Sequence, residues 1–394
     1  VIRVLLADDS RTFRAVLKAV LEKAPEIQVV GEAVDGTEAV ALTALLRPDV
    51  VTIDLRMPGK DGLVAIEEIM ARFPTPVVVV SGEVGPEHQQ TSFRALALGA
   101  VEVLGKPSSS DPARFEREAE AIRMAVRAVA GLKLVTRHPR ARGAPSPPTP
   151  GLALTPAPQR AVAAPALTPS RPAGAQPPAP AAPVRPPRQA AAAPPLPATS
   201  LRPASRAVGL AASTGGPPAL ARLLGALPAG YPAAILVVQH IATGFERGLV
   251  QWLARETPLA VKLAEHGEPL RAGTVYFAPE GRHLTALVGT VFLDDAPPIR
   301  GFRPSGTTLF HSLAREYGAA ATGVVLTGMG DDGAEGLKAV RERGGHTIAQ
   351  GPQSCVVFGM PRVAIESGAA EETLELDEIA GALLRLAKVS RAAP

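Results

Sequence analysis

Three carboxylates, a hydroxyl and an ammonium group stand at the ends of apolar runs in the first third of the sequence. Asp8 and Asp9 follow Ile2–Ala7, Asp54 follows Val50–Ile53, Ser81 follows Val77–Val80, and Lys106 lies one glycine beyond Val101–Leu104. Carboxylates brought to one point repel each other, and a hard, oxygen-seeking divalent cation such as Mg2+ relieves that repulsion. A carboxylate beside such an ion can attack a phosphoryl group and form an acyl phosphate, because the metal and a nearby ammonium neutralise charge on the transferring oxygens. On this pattern Asp8, Asp9 and Asp54 hold the metal, Asp54 accepts the phosphoryl group, Lys106 pairs with its oxygens and Ser81 hydrogen-bonds one of them. Taken singly, an Asp after a strand is an ordinary helix N-cap and Ser81-Gly82 an ordinary turn. Four strand ends carrying these residue types in this order are not explained that way.

A second constellation lies in the last half. The apolar run Ala207–Ala211 leads into Ala212, Ser213, Thr214, Gly215, Gly216 and Pro217, after which an apolar helical pattern begins. Such a tight strand-to-helix turn sets Ser213 close to a helix N-terminus, where backbone N–H groups stabilise an anion; it can serve equally as a phosphate cradle or as a nucleophile turn, and it is not the G-x-S-x-G elbow of lipases. A serine nucleophile needs a base, and the base an orienting acid. His240 closes the next strand-like run, and Val324–Leu326 delivers Thr327 through Gly333, a glycine-rich loop with two candidate acids, Asp331 and Asp332. His266, His311 and His346 have no such partners and read as surface or packing residues. His283 falls in what reads as a loop, open between packing and substrate contact, and no Cys/His spacing suggests zinc.

The elements that must position these groups follow from periodicity. Residues 1 to about 110 alternate short apolar runs with amphipathic patterns such as Arg11–Lys23 and Gly62–Arg72, the signature of a parallel sheet covered by helices on both faces. A charged helical pattern over 111 to about 135 leads away from it. From His138 to Ser205 the chain holds nearly half of its 41 prolines, so neither helix nor packed strand can persist there, and the segment reads as a semi-extended tether. Alternation resumes at Arg206 with strand-like runs at Ala207–Ala211, Ala233–Val238, Thr274–Ala278, Val324–Leu326 and Thr347–Ala349, which make a second doubly wound, mostly parallel α/β domain.

The formal charge of +4 hints at nucleic acid, yet no Asp or Glu occurs between Ala121 and Phe245. The excess therefore belongs mainly to the tether, and the C-terminal half lacks the compact helical pattern of a DNA reader, so no nucleic-acid partner is expected. No apolar run is long enough to cross a bilayer, and direct membrane insertion is not expected. A single cysteine, Cys355, in the apolar run Cys355–Phe358, excludes a disulfide framework within the chain and reads as core; a cytoplasmic location is the simplest expectation.

Two resemblances sharpen these expectations. Residues 1 to about 125 resemble response-regulator receiver domains through Asp8-Asp9-Ser10, the Asp54 to Gly62 segment, Ser81 and Lys106-Pro107. The resemblance implies a flavodoxin-like domain with a five-stranded parallel sheet, phosphorylated on Asp54 by a histidine kinase with Mg2+ as cofactor, and a cis bond before Pro107. Val103 departs from the Phe or Tyr often found there. Residues from about Val208 to Ala370 resemble the catalytic domain of CheB-type protein-glutamate methylesterases. The shared motifs are Ala212 to Pro217, Gln239-His240, Tyr276 to Pro279, Arg303-Pro304-Ser305, Leu326 to Gly330 and Cys355 to Pro361.

This second resemblance implies Ser213 as nucleophile, His240 as base, Asp332 as orienting acid with Asp331 the second choice, and the Met329 backbone N–H on the oxyanion, with no cofactor for the ester chemistry. Thr307 departs from an Asp often found in the family. Together the resemblances imply a receiver domain over 1–125, a linker over 126–204 and a catalytic domain over 205–390. They imply a chemotaxis response regulator that hydrolyses glutamate methyl esters and deamidates glutamines on methyl-accepting chemoreceptors, under control of receiver phosphorylation.

Overall fold

The computed structural model describes residues 1–82, 86–107, 111–132, 204–242 and 244–389. The tether expected over 126–204 lies almost wholly outside the described residues.

The N-terminal domain alternates strictly: β1 (Ile2–Ala7), α1 (Arg11–Glu22), β2 (Ile27–Ala33), α2 (Gly36–Leu46), β3 (Val50–Ile53), α3 (Gly62–Arg72), β4 (Val77–Ser81), α4 (Pro86–Leu98), β5 (Glu102–Gly105) and α5 (Pro112–Val129). The strands form one sheet in the order β2-β1-β3-β4-β5, every pairing parallel. Strands β3 and β4 are buried along their whole length, which explains their unbroken apolar character: helices cover both faces of the sheet. Register does the positioning. Ala7 pairs with Ile53 and Ser81 with Gly105, so Asp8 and Asp54 emerge side by side, and Lys106 emerges beside Ser81.

Two expectations are corrected here. The charged helix after residue 110 does not leave the domain. Ile122, Ala125, Val126 and Val129 recur at helical spacing and bury one stripe of α5 with Leu17 and Leu21 of α1, so the packed domain runs past residue 125. The Lys106–Pro107 bond is not cis; among the described residues only Arg303–Pro304 is. A trans bond already delivers the lysine, whose N–H donates to the Ser81 carbonyl at 2.9 Å while its ammonium reaches Asp8 and Asp54.

The C-terminal domain begins with β6 (Ala207–Ala212), α6 (Gly216–Gly225), β7 (Ala234–Gln239), α7 (Glu246–Glu256), β8 (Ala260–Leu263) and β9 (Thr274–Phe277). The antiparallel hairpin β10 (His283–Leu287) and β11 (Thr290–Asp294) follows. Then come α8 (Gly306–Tyr317), β12 (Ala321–Val325), α9 (Ala334–Glu342), β13 (His346–Gln350), α10 (Met360–Glu366), β14 (Glu372–Leu374) and α11 (Leu376–Val389). Seven strands make one wholly parallel sheet in the order β14-β13-β12-β6-β7-β9-β8. Alternate residues of β6 serve opposite cores. Val208, Leu210 and Ala212 join Leu220 of α6 and Leu383 of α11, whereas Ala207 and Ala211 join Phe310 of α8 and Leu337 of α9.

The chain winds away from β6 in both directions, through β7 on one side and β12 on the other. The crevice at the carboxyl ends of β6 and β12 is therefore the topological switch point at which doubly wound sheets bind ligands. Helix α8 reaches this crevice because Gly209 and Gly323, paired across β6 and β12, carry no side chain. A Cβ on Gly209 would come within 2.7 Å of Leu313 and 2.9 Å of Phe310. Its neighbour α9 lies as close, for a Cβ on Gly336 would overlap the Thr307 carbonyl oxygen in the first turn of α8.

That last contact predicts that Gly336→Ala, although it raises helix propensity, lowers stability by about 1–3 kcal/mol through overpacking. Urea unfolding of the two proteins measures the change; equal or higher stability of the variant would show that α8 and α9 can part without cost.

Candidate functional site

In the N-terminal domain Asp8, Asp9, Asp54 and Lys106 converge on one point. Each of Asp8, Asp9 and Asp54 offers an oxygen within 4.8 Å of the others, and Lys106 Nζ lies 2.6 Å from both Asp8 Oδ2 and Asp54 Oδ2. The backbone N–H of Asp54 donates to the Ala7 carbonyl at 2.8 Å, which locks the two strand ends together. Burial pushes the Asp8 carboxyl above the usual carboxylate range, and the charge of Asp54 adds to the push against the pull of Lys106. Burial alone would lower the Lys106 ammonium, but its pairing with Asp54 and Asp8 outweighs that and holds it above its ordinary value. Clustered, partly buried carboxylate oxygens fit a hard cation such as Mg2+. Ser81 is buried at the end of β4, and Val103 is buried in the core rather than set at the site.

At the switch point of the C-terminal sheet, Ser213 and His240 leave adjacent strands one residue beyond the paired Ala212 and Gln239. The His240 N–H donates to the Ala212 carbonyl at 2.9 Å, and the Gln239 amide donates to the carbonyls of both Ser213 (2.8 Å) and His240 (2.7 Å). The turn after Ser213 needs glycine. Gly215 has φ +75°, and a Cβ there would overlap Val356, while one on Gly216 would overlap the Gln239 side chain. The loop after β12 presses equally close, since a Cβ on Gly328 would come 2.7 Å from the Ser213 Cβ.

The Asp331 and Asp332 alternatives separate cleanly. Asp332 is buried and its Oδ2 lies 3.0 Å from His240 Nε2, whereas Asp331 is partly exposed and pairs with Arg300. Asp332 also binds the start of α8. Its oxygens accept from the Ser305 hydroxyl (2.7 Å) and from the N–H groups of Gly306 (2.6 Å) and Thr307 (3.1 Å), so the first turn of that helix is capped by a carboxylate from another element. Burial pushes the Asp332 carboxyl up, but the hydrogen bond and charge of His240, with Ser305 and Gly306, more than reverse this and hold it well below the usual range. Nε2 is thus committed to the acid, and Nδ1 is buried without a partner. Ser213, His240 and Met329 line one cavity of about 820 Å³.

Other residues take different places from those expected. His283 opens β10, 1% exposed, with Nε2 3.2 Å from the Pro297 carbonyl, and is not on a loop. Thr307 points inward, where its hydroxyl accepts from the Gly333 N–H at 2.8 Å. Cys355 is not core: it is half-buried on the loop after β13, its thiol pushed up to about 12 by burial and by the charge of Glu375. That apolar run pairs with no long strand; instead Val357 and Gly359 clamp the loop carrying Met329. His266 accepts from the Leu293 N–H, and His346 lies between the carboxylates of Glu371 and Glu372, acid partners that the sequence did not reveal. Residue type alone did not reveal Ser305 or Phe302, whose ring lies parallel to the His240 imidazole with centroids 4.1 Å apart. Gln239 stood beside His240 in the sequence without an evident task.

The two domains meet over this site. Phe93 of α4 stacks on Trp252 of α7 with ring centroids 5.8 Å apart. Glu102, Lys106 and Met124 of the N-terminal domain line the same cavity as Ser213. Glu102 is buried facing the Thr214 hydroxyl and the Gly215 N–H. Burial pushes its carboxyl up to about 7, more than these donors and the Val103 N–H pull it down.

Comparison with known proteins follows the same division. The family described as CheB methylesterase matches residues 208–383, and that described as response regulator receiver domain matches residues 4–114. Protein-glutamate methylesterase/protein-glutamine glutaminase 2 of Anaeromyxobacter dehalogenans is 43% identical over 387 residues, covering 98% of this chain and 97% of its own. Protein-glutamate methylesterase/protein-glutamine glutaminase 4 of Myxococcus xanthus is 44% identical over 384 residues, covering 97% and 96%. Among solved structures, the Thermotoga maritima CheB methylesterase catalytic domain is 40% identical, covers 46% of this chain and 98% of its own, and has a TM-score of 0.45.

The Glu102 environment sets a pH dependence. Its carboxyl is raised from 4.5 to about 7 in the packed arrangement, so the packed form binds the proton more tightly than a separated one. Packing is therefore favoured below about 4.5 and weakens as pH rises towards about 7. Trp252, the sole tryptophan, reports on this contact. Its emission should show a transition in that window that Glu102→Gln removes; a transition unchanged in the variant would assign the titration to another group.

Proposed function

The chain belongs to the protein-glutamate methylesterase/protein-glutamine glutaminase family, and on that premise we propose that it is a phosphorylation-controlled hydrolase of glutamate methyl esters on methyl-accepting chemoreceptors. The observation that carries the mechanism is the His240–Asp332 pair, 3.0 Å apart, on the same crevice as Ser213. Ser213 Oγ attacks the ester carbonyl carbon while its proton passes to His240, at the Nδ1 that Asp332 leaves free. The tetrahedral oxyanion is met by the Met329 N–H. Collapse expels methanol, which takes the proton from the imidazolium. Water then gives a proton to His240 and attacks the acyl-enzyme, and as the acyl bond breaks the imidazolium returns that proton to Ser213 Oγ, releasing glutamate and restoring both serine and base. A glutamine side chain follows the same course with ammonia as the leaving group. Asp332 stays ionised throughout, because its hydrogen bonds keep the carboxyl well below the range in which it would take the proton.

Control comes from the receiver domain. Asp8, Asp9 and Asp54 would hold Mg2+, which when bound supplies positive charge to the phosphoryl oxygens. Asp54 accepts that group from a histidine kinase. Lys106, now paired with Asp8 and Asp54, would turn to the new oxygens, with Ser81 as a further donor. Because Lys106 and Ser213 border one cavity, the unphosphorylated receiver stands in the way of a protein substrate, and phosphorylation favours its release. Among the described residues no helix is long and apolar enough to cross a membrane. The substrate glutamates lie on the cytoplasmic helices of the receptors, so the enzyme works in the cytoplasm.

Two outcomes follow. Ser213→Ala should abolish methanol release from methylated receptor while leaving phosphorylation intact. Asp332→Asn should lower kcat by roughly 10³- to 10⁴-fold, with Asp331→Asn close to wild type. Hydrolysis retained by Ser213→Ala would remove it as the nucleophile, and equal losses in the two Asp variants would reassign the acid. For control, a small phosphodonor should raise methanol release and change the Trp252 emission together. Asp54→Asn should block both; hydrolysis that ignores the phosphodonor would dismiss the gate.

A further inference from the structure

The stack on His240 bears on the reaction itself. Phe302 and His240 lie face to face, centroids 4.1 Å apart and planes within 4°. The loop that carries Phe302 is pinned on both sides. The Phe302 N–H donates to the Ile299 carbonyl (2.9 Å) and the Ile299 N–H to the Phe302 carbonyl (3.0 Å), around a turn in which Arg300 and Gly301 have φ of +50° and +88°. The Arg303 guanidinium donates to the carbonyls of Asp295 (3.0 Å) and Ala296 (3.2 Å), and Arg300 pairs with Asp331 next to the acid. Three residues beyond Phe302, Ser305 begins the group of donors that grips Asp332.

One short segment therefore fixes both members of the base–acid pair, the acid through hydrogen bonds and the imidazole through its face. The need is physical. The hydrogen bond to Asp332 restrains one edge of the imidazole but leaves the ring able to rock about the Nε2–Oδ2 line. Rocking would swing Nδ1, which is buried and has no hydrogen-bond partner here, away from the crevice that His240 shares with Ser213. A flat ring at van der Waals distance removes that motion, and it excludes water from the same face.

We infer that Phe302 is a positioning residue for the ester-hydrolysing base, holding the imidazole plane so that Nδ1 meets Ser213 while Nε2 stays on Asp332. The inference rests on the hydrolase reading above, and the experiment separates the two. Full-length wild type, Phe302→Ala, Phe302→Leu and Phe302→Tyr are compared with the phosphodonor present in every arm. Two readouts are taken: methanol release from methylated receptor, and the rate at which a fluorophosphonate labels Ser213, which needs the base but no particular substrate.

Phe302→Ala should lose roughly 10- to 100-fold in kcat and in labelling rate, with KM within about twofold of wild type. Phe302→Tyr, which keeps a flat ring, should return both to within about threefold, and Phe302→Leu, which restores bulk without planarity, should remain near the alanine value. Rates in Phe302→Ala equal to wild type would overturn the inference. So would recovery in leucine as full as in tyrosine, or a loss confined to KM, which would make the ring a substrate contact. A wild-type chain that labels but releases no methanol would overturn the esterase reading alone, and the labelling rates would still decide the role of Phe302.

Discussion

The buried carboxylate of Asp332 ties the C-terminal domain together. It is 1% exposed in its side chain, and a charge so placed is costly unless every lone pair is used. Here the first turn of α8, the Ser305 hydroxyl and the His240 imidazole use them. One ion thus caps a helix, joins the loop after β12 to that helix, and orients an imidazole from β7. The close glycine contacts of α8 with the sheet serve the same end, since the helix must reach the crevice to supply its donors.

The N-terminal domain solves a similar problem with the opposite charge. Its buried carboxylates are held by an ammonium that bridges Asp8 and Asp54. On the proposed function an incoming phosphoryl group would displace that ammonium, whereas Asp332 is held in part by the backbone N–H groups of Gly306 and Thr307 in the first turn of α8. On that proposal the contrast suits the parts, since a switch needs an exchangeable partner and a base–acid pair a fixed one.

Much of this was legible in the sequence because parallel sheets bring chemistry to the ends of their strands. Asp8, Asp54, Ser81, Lys106, Ser213 and His240 each follow a recognisable apolar run, and strand register then places them. What resisted was anything decided by contact between elements distant in sequence. Spacing could not separate Asp331 from Asp332, because contacts with His240 and with the start of α8, both distant in sequence, distinguish them. Edge strands β8 and β14 are short and half-exposed, too weak in pattern to be read. The apolar run from Cys355 read as core but closes a loop, and α5 looked like an exit because its charges hid a buried stripe. The segments 83–85, 108–110 and 133–203 lie outside the described residues, so the tether expected in the middle of the chain is not among these outcomes.

The acid is separated from the imidazole by 92 residues of chain, with an edge strand and a hairpin in between. During synthesis the serine and histidine leave the ribosome long before their orienting carboxylate exists, and β12 must insert beside β6 before that carboxylate can reach them. Pairing so distant in sequence carries a loop-closure cost that local contacts do not. A product truncated ahead of Asp332 would therefore lack the one ion that caps α8 and holds the imidazole, however well its earlier strands had assembled.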